Sequence, residues 1–135
     1  MRTEVKVYVE KAEDGTYWGT SKNTPGVVSA FGDSLNELKK NFEQAYSDYI
    51  EVAKDLEEDW VKDYEHVRFN YEMDLQGFFK LVNEVSITGI AEKAHINKSL
   101  LRQYATGKAN ASEKRLKEIE KAIHDLGQEL LSVSF

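Results

Sequence analysis

The polar side chains best suited to chemistry gather in one stretch of the chain. Ser86 and Thr88 are followed by Asn97, Lys98, Ser99, Arg102 and Gln103, and then by Lys108, Lys114 and Arg115. These are hydroxyls, amides, ammonium groups and guanidinium groups, with no carboxylate among them. Such groups meet phosphate oxygens and base edges. Arginine can hold guanine in a bidentate fork, and Gln or Asn can do the same with adenine. A serine or threonine at a helix start can bind phosphate through its hydroxyl and the backbone N–H. The chemistry they point to is nucleic-acid recognition.

Residues for catalysis are harder to assemble. The carboxylates to weigh as a metal cluster are Glu4, Glu10, Asp14 and Asp33. Glu4 and Glu10 share one strand face, Asp14 belongs to a turn and Asp33 to a helix start, so a solvated surface is the expectation. His66, His95 and His124 lack the spacing of metal ligands. There is no cysteine, which removes thiolate nucleophiles and disulfides. No phosphate-binding glycine loop and no nucleophile elbow is present. We expect no catalytic residue, no metal and no cofactor.

The formal net charge of −6 looks wrong for a nucleic-acid binder until the chain is divided. Residues 1–73 hold 9 Lys and Arg against 16 Asp and Glu, a net of −7; residues 74–135 hold 9 against 8, a net of +1. Thr88–Lys117 alone has seven basic residues against Glu92 and Glu113. Phosphate contact needs only a local positive surface. The acidic half suits a basic partner or simple solubility. No apolar run approaches a membrane span, and the reading is a soluble cytoplasmic protein.

Helices must position the polar set. Asp74 caps a helix expected to run to about Glu84, Ser86 opens a short one to Ala94, and Asn97 opens another to Thr106, stopped by Gly107. Ser112 opens the last, with Leu116, Ile119, Ile123, Leu126 and Leu130 as its apolar set. Two short helices joined by a tight turn make a helix-turn-helix if a small residue lies at their closest approach. Ala91 fits that place, with Ile90, Ala94, Ile96, Leu101 and Tyr104 as the shared core. The turn needs a residue tolerant of positive φ, and His95 stands there. Residues 74–135 thus read as a DNA-binding domain, with about Lys98–Thr106 as the helix that enters the major groove.

The first half alternates. Val5, Val7 and Val9 lie on one face of a strand, Asp14-Gly15 marks a hairpin, and Thr16–Thr20 returns. Pro25-Gly26 suggests a type II turn, and Val27–Phe31 a third strand. Ser34 and Glu37 have capping-box spacing ahead of a helix whose stripe is Leu35, Leu38, Phe42, Ala45, Tyr46, Tyr49, Ile50, Ala53 and Leu56. The charged stretch Lys54–Glu65 leads to a last strand in His66–Met73. Tyr46, Tyr49, Trp60 and Tyr64 are of the type that stacks on bases, but at helical spacing they fit core or dimer packing better. The fold class is α+β, with a β-β-β-α-β unit over 1–73 and an all-α unit over 74–135.

Residues 84–132 resemble the lambda-repressor-like (XRE-type) helix-turn-helix group. The first unit resembles the HicB antitoxin family through Asp14-Gly15-Thr16-Tyr17-Trp18, Thr24-Pro25-Gly26-Val27, and Gly32-Asp33-Ser34-Leu35-Asn36-Glu37-Leu38 with Asn41 and Ala45. The chain departs at Asn23, where the family often has an acid, and in the longer charged stretch Val52–Tyr64. The resemblance implies a partial RNase H-like sheet in the first unit. It also implies an antitoxin that neutralises a small basic RNA-cleaving HicA-like toxin and represses its own operon, with toxin-facing residues unknown. A homodimer or dimer of dimers on double-stranded operator DNA is expected, with the last helix and the strand near Tyr71 as pairing surfaces. Half-sites would lie about 34 Å apart. Two other readings stay open: a stand-alone repressor whose first unit senses a ligand or dimerises, and a toxin-binding module without DNA binding.

Overall fold

A computed structural model describes residues 3–135 of the chain. The chain divides into two compact units, Met1–Met73 and Asp74–Phe135. The architecture is mixed α+β, with one four-stranded sheet and six helices among the described residues.

In the first unit, β1 (Thr3–Lys11), β2 (Tyr17–Ser21) and β3 (Ser29–Gly32) precede helix α1 (Leu35–Asp55), a short helix α2 (Val61–Tyr64) and strand β4 (Val67–Glu72). The sheet order is β3-β2-β1-β4. β1 pairs antiparallel with β2, Val9 opposite Gly19, and parallel with β4, Val5 opposite Phe69. The hairpin expected at Asp14-Gly15 forms. Gly15 takes φ +89°, and the Asp14 carboxylate accepts hydrogen bonds from the Thr16 backbone N–H and hydroxyl.

Val5, Val7 and Val9 turn inward together, as strict alternation requires. α1 covers that face with Leu38, Phe42, Tyr46, Ile50 and Ala53. Phe42 meets Phe69 edge-on at 5.9 Å, and Tyr46 meets Phe69 edge-on at 5.1 Å. Phe42, fully buried, contributes about 1.5–3 kcal/mol through burial. Ser34 caps α1, its hydroxyl accepting from Glu37 N–H at 3.1 Å.

Several expectations are corrected. The third strand begins at Ser29 rather than Val27. Val28 is buried but lies outside the strand, and its N–H donates to the Ser21 hydroxyl. Gly26 does not take positive φ, so Pro25-Gly26 is not a type II turn. Glycine is required there because a Cβ would lie 2.9 Å from the Tyr49 hydroxyl. The charged stretch contains α2, which makes the unit β-β-β-α-α-β. α2 escaped the periodicity because four residues cannot display a period of 3.6. Leu56 leaves the stripe because α1 ends at Asp55, and it is 68% exposed.

In the second unit, α3 (Leu75–Leu81), α4 (Ile87–Ala94), α5 (Lys98–Thr106) and α6 (Glu113–Leu131) follow in order. α3 stops at Leu81, three residues short of expectation, because Val82 leaves helical geometry at φ −111°, ψ 67°. Asp74, Ser86, Asn97 and Ser112 are the four N-caps, each accepting a backbone N–H of the first turn. Phe79, Ile90, Ala91, Ile96, Leu101, Ala105, Ile119 and Ala122 form the core. Leu116 and Leu130, assigned to the α6 stripe, are exposed at 41% and 66%. Among the described residues no helix is long and apolar enough to cross a membrane.

Candidate nucleic-acid interface

The α4–α5 pair is held by a short, well-defined turn. His95 sits at φ 58°, ψ 43°, the left-handed conformation the turn demands, and its N–H reaches the carbonyl of Glu92. Ile96 N–H then closes onto Ala91 O at 2.9 Å, which completes a Schellman-type end. Ala91 is 1% exposed and Leu101 fully buried. Both belong to the core of this unit, so a larger side chain at Ala91 would crowd that core.

With Leu101 and Ala105 inward, the other side of α5 faces out. Lys98, Ser99, Arg102 and Gln103 are all exposed. The steps from 98 to 102 and from 99 to 103 are one helical turn, so the four make a continuous surface. Gly107 ends α5 at φ +81°, and Lys108 N–H folds back to Gln103 O at 2.9 Å. Lys108 therefore extends the same edge. The chain carries no acid from Lys93 to Ser112. Among the described residues Lys98, Arg102, Lys108 and Lys114 make no ion pair, so their charges are uncompensated locally.

Other members of the predicted set are differently placed. Asn97 is the cap of α5: its Oδ1 accepts from Ser99 N–H at 2.9 Å and Leu100 N–H at 3.2 Å. A bidentate grip on adenine would use that oxygen, which here holds the helix, while the Nδ2 group is left to donate. Ser86 caps α4, accepting from Gly89 N–H at 3.0 Å, and its hydroxyl proton stays available to donate. Thr88 is half-buried in the first turn of α4. Arg115 is half-buried and pairs with Glu118 at 3.5 Å, while Lys114 beside it is exposed. Lys93 and Lys117, counted in the basic stretch, pair with Glu129 and Glu120.

Two of the carboxylates weighed for catalysis are held by local partners of their own. Glu4 is bonded by Arg68 at 2.7 Å and by Asn70, and these hold it below the ordinary carboxylate range. Asp14 is held low in the same way by Thr16. Among the described residues no group of three or more His, Asp or Glu could hold a metal ion.

Tyr46, Tyr49, Trp60 and Tyr64 pack on one another, with Tyr49 and Trp60 stacked at 5.4 Å. Trp18 and Phe31 stack at 4.9 Å and stay open, 41% and 53% exposed, as does Phe135 at the end of the chain. Sequence reasoning passed over this pair. Strand parity carried the signal, since Trp18 alternates with the buried Gly19 and Phe31 with the buried Gly32.

Comparison with known proteins finds no matching family model, no matching curated protein and no matching solved structure.

Proposed function

We propose that this protein is a DNA-binding antitoxin that represses its own operon and neutralises a small basic RNA-cleaving HicA-like toxin. In this reading α4 and α5 form a helix-turn-helix of the lambda-repressor type. Lys98, Ser99, Arg102 and Gln103 face base edges and phosphates in the major groove. Ser86, Thr88, Lys108 and Lys114 anchor the flanking phosphates, and Arg115 reaches one by exchanging Glu118 for it. The observation that carries the reading is the acid-free outer face of α5, exposed and unpaired, on a helix anchored in the core through Leu101 and Ala105.

The first unit, a partial RNase H-like sheet in this reading, supplies the acidic partner-binding surface. Its charge of −7 is complementary to a basic toxin. β4 is an edge strand and offers a second copy a pairing surface. A dimer brings two α5 helices to half-sites about one turn of DNA apart.

The test is a fluorescence-anisotropy titration of the full chain with duplex DNA from upstream of its own gene, at several salt concentrations. Binding that weakens steeply with salt is expected. No binding at low salt, or affinity indifferent to salt, would remove DNA recognition. Co-expression with the adjacent gene tests the second half: the expected result is a stable complex with a small basic protein.

A further inference from the structure

The last turn of α1 brings apolar side chains out of the core. Val52 and Leu56 are 57% and 68% exposed. They border a cleft of about 280 Å³, walled by Pro25, Ala53 and the stacked rings of Tyr49 and Trp60. Its walls are tied down. Tyr49 Oη accepts from Gly26 N–H at 2.7 Å, and Glu58 N–H reaches Ala53 O at 3.1 Å. The volume is at or below the low end of pockets that enclose small-molecule ligands, roughly 300–1,000 Å³. It suits one or two large side chains.

The surroundings select the sign of the occupant. Glu51, Asp55, Glu57, Glu58 and Asp59 are all exposed at the end of α1 and in the turn after it. The single cation in that stretch, Lys54, is taken by Glu65 at 3.2 Å. Glu57 holds φ 55°, a conformation in which glycine would be less strained, so a carboxylate stands where the backbone alone favours none. An apolar floor inside a carboxylate rim attracts a cationic, amphipathic chain and repels an acidic one or a nucleic acid.

We infer that this cleft docks a basic amphipathic segment of a protein partner. One or two large apolar side chains enter beside Val52, Leu56 and Trp60, and flanking Lys or Arg side chains meet the rim. This rests on the reading of the first unit as the binder of a basic protein, and gives that contact a place.

The experiment titrates the full chain with a fluorescein-labelled synthetic peptide of Leu and Lys at helical spacing, and with the matching Leu/Glu peptide. The Lys peptide binds and, in a Trp18→Phe chain where Trp60 is the one tryptophan, perturbs its emission; the Glu peptide does not. Val52→Ser with Leu56→Ser weakens binding at least about tenfold, the equivalent of 1.4 kcal/mol. Asp55→Lys with Glu58→Lys does the same and admits the Glu peptide. All four positions are exposed, and an unchanged circular-dichroism melt verifies that the variants fold. Equal binding of the Lys peptide to wild type and both variants overturns the inference, as does equal binding of the two peptides to wild type. The partner of the adjacent gene separates this from the wider reading. If that protein binds wild type and the serine variant equally, the cleft assignment falls and the antitoxin reading stands. If it does not bind wild type while the peptide results hold, the antitoxin reading falls and the cleft stands.

Discussion

The hydroxyl of Tyr49 accepts the backbone hydrogen of Gly26 at 2.7 Å, pinning the Pro25-Gly26 loop to α1. The contact is so close that a Cβ on residue 26 would lie 2.9 Å from the same oxygen. The tyrosine and the glycine therefore need each other. Tyr49→Phe should cost about 1 kcal/mol, the usual net value of one such bond. Gly26→Ala should cost as much or more, because it displaces the ring as well as the bond. A double-mutant cycle by chemical denaturation checks the coupling. Additive effects would show that loop and helix are independent.

His95 occupies a left-handed turn at φ 58°. That conformation costs an L-residue about 1–2 kcal/mol, and glycine's greater freedom in the unfolded chain costs about 0.5–1 kcal/mol. His95→Gly should thus stabilise the second unit by about 0.5–1 kcal/mol. His95→Val, branched at Cβ, should destabilise it. Thermal melts followed by circular dichroism decide the sign of each.

Arg102 and Asn97 should separate on two axes. Arg102→Ala is expected to cost about 1–3 kcal/mol of operator affinity if it grips a base, and to leave the melting temperature alone because the side chain is exposed. Asn97→Ala removes the cap of α5 and should cost about 0.5–2 kcal/mol of stability. Asn97→Asp keeps the capping oxygen and should melt like wild type. Lys108→Ala should weaken all sequences alike and reduce the salt slope by about 1. Parallel binding and melting curves on these four variants test the set.

Leu101 is fully buried in the core of the second unit. Leu101→Ala should cost about 2–5 kcal/mol there. Both tryptophans, Trp18 and Trp60, lie in the first unit. The part of the helical circular-dichroism signal that comes from α3–α6 should therefore melt early, while the part from α1 and the tryptophan fluorescence transition stay in place. Coincident loss of both signals would show that the two cores unfold as one.

Tyr46 donates its phenol hydrogen to the carbonyl of Tyr64 at 2.7 Å. Burial, with smaller contributions from Tyr49 and Tyr64, pushes its pKa up to about 12. The folded chain thus holds this proton more tightly than the unfolded one, whose phenol titrates near 10. The stability it contributes is complete below about pH 10 and is lost as pH rises towards 12. Burial and Glu43 push Tyr71 in the same direction. Denaturant midpoints measured from pH 9 upward should fall, and Tyr46→Phe should flatten the fall. A midpoint independent of pH across that range would contradict the assignment.

Much of the molecule was legible in the residues alone. The alternation of Val5, Val7 and Val9, the steps of three and four along α1, and the four capping side chains are local patterns, and the backbone obeys them because each is satisfied within one element. The positive φ at His95 and Gly107 could be read because few residues tolerate it. Residues without such short-range rules depended on tertiary packing. Leu56, Leu116 and Leu130 match a helical stripe in sequence yet face water, because periodicity gives a direction and not a neighbour. Gly26 looked like a turn residue and is instead the space for Tyr49, a contact made across 23 positions. Asn97 offered the same amide to DNA or to its own helix, and only the folded position of Ser99 and Leu100 N–H decided that it caps. The charge at Arg115, Lys93 and Lys117 was countable from the start, but whether each cation is free depends on which carboxylate packing brings within reach. Local residue patterns set most of the elements and the sign of each surface, though not α2 or the start of β3; packing set which groups remain exposed and unpaired, because burial and pairing are properties of distance in space.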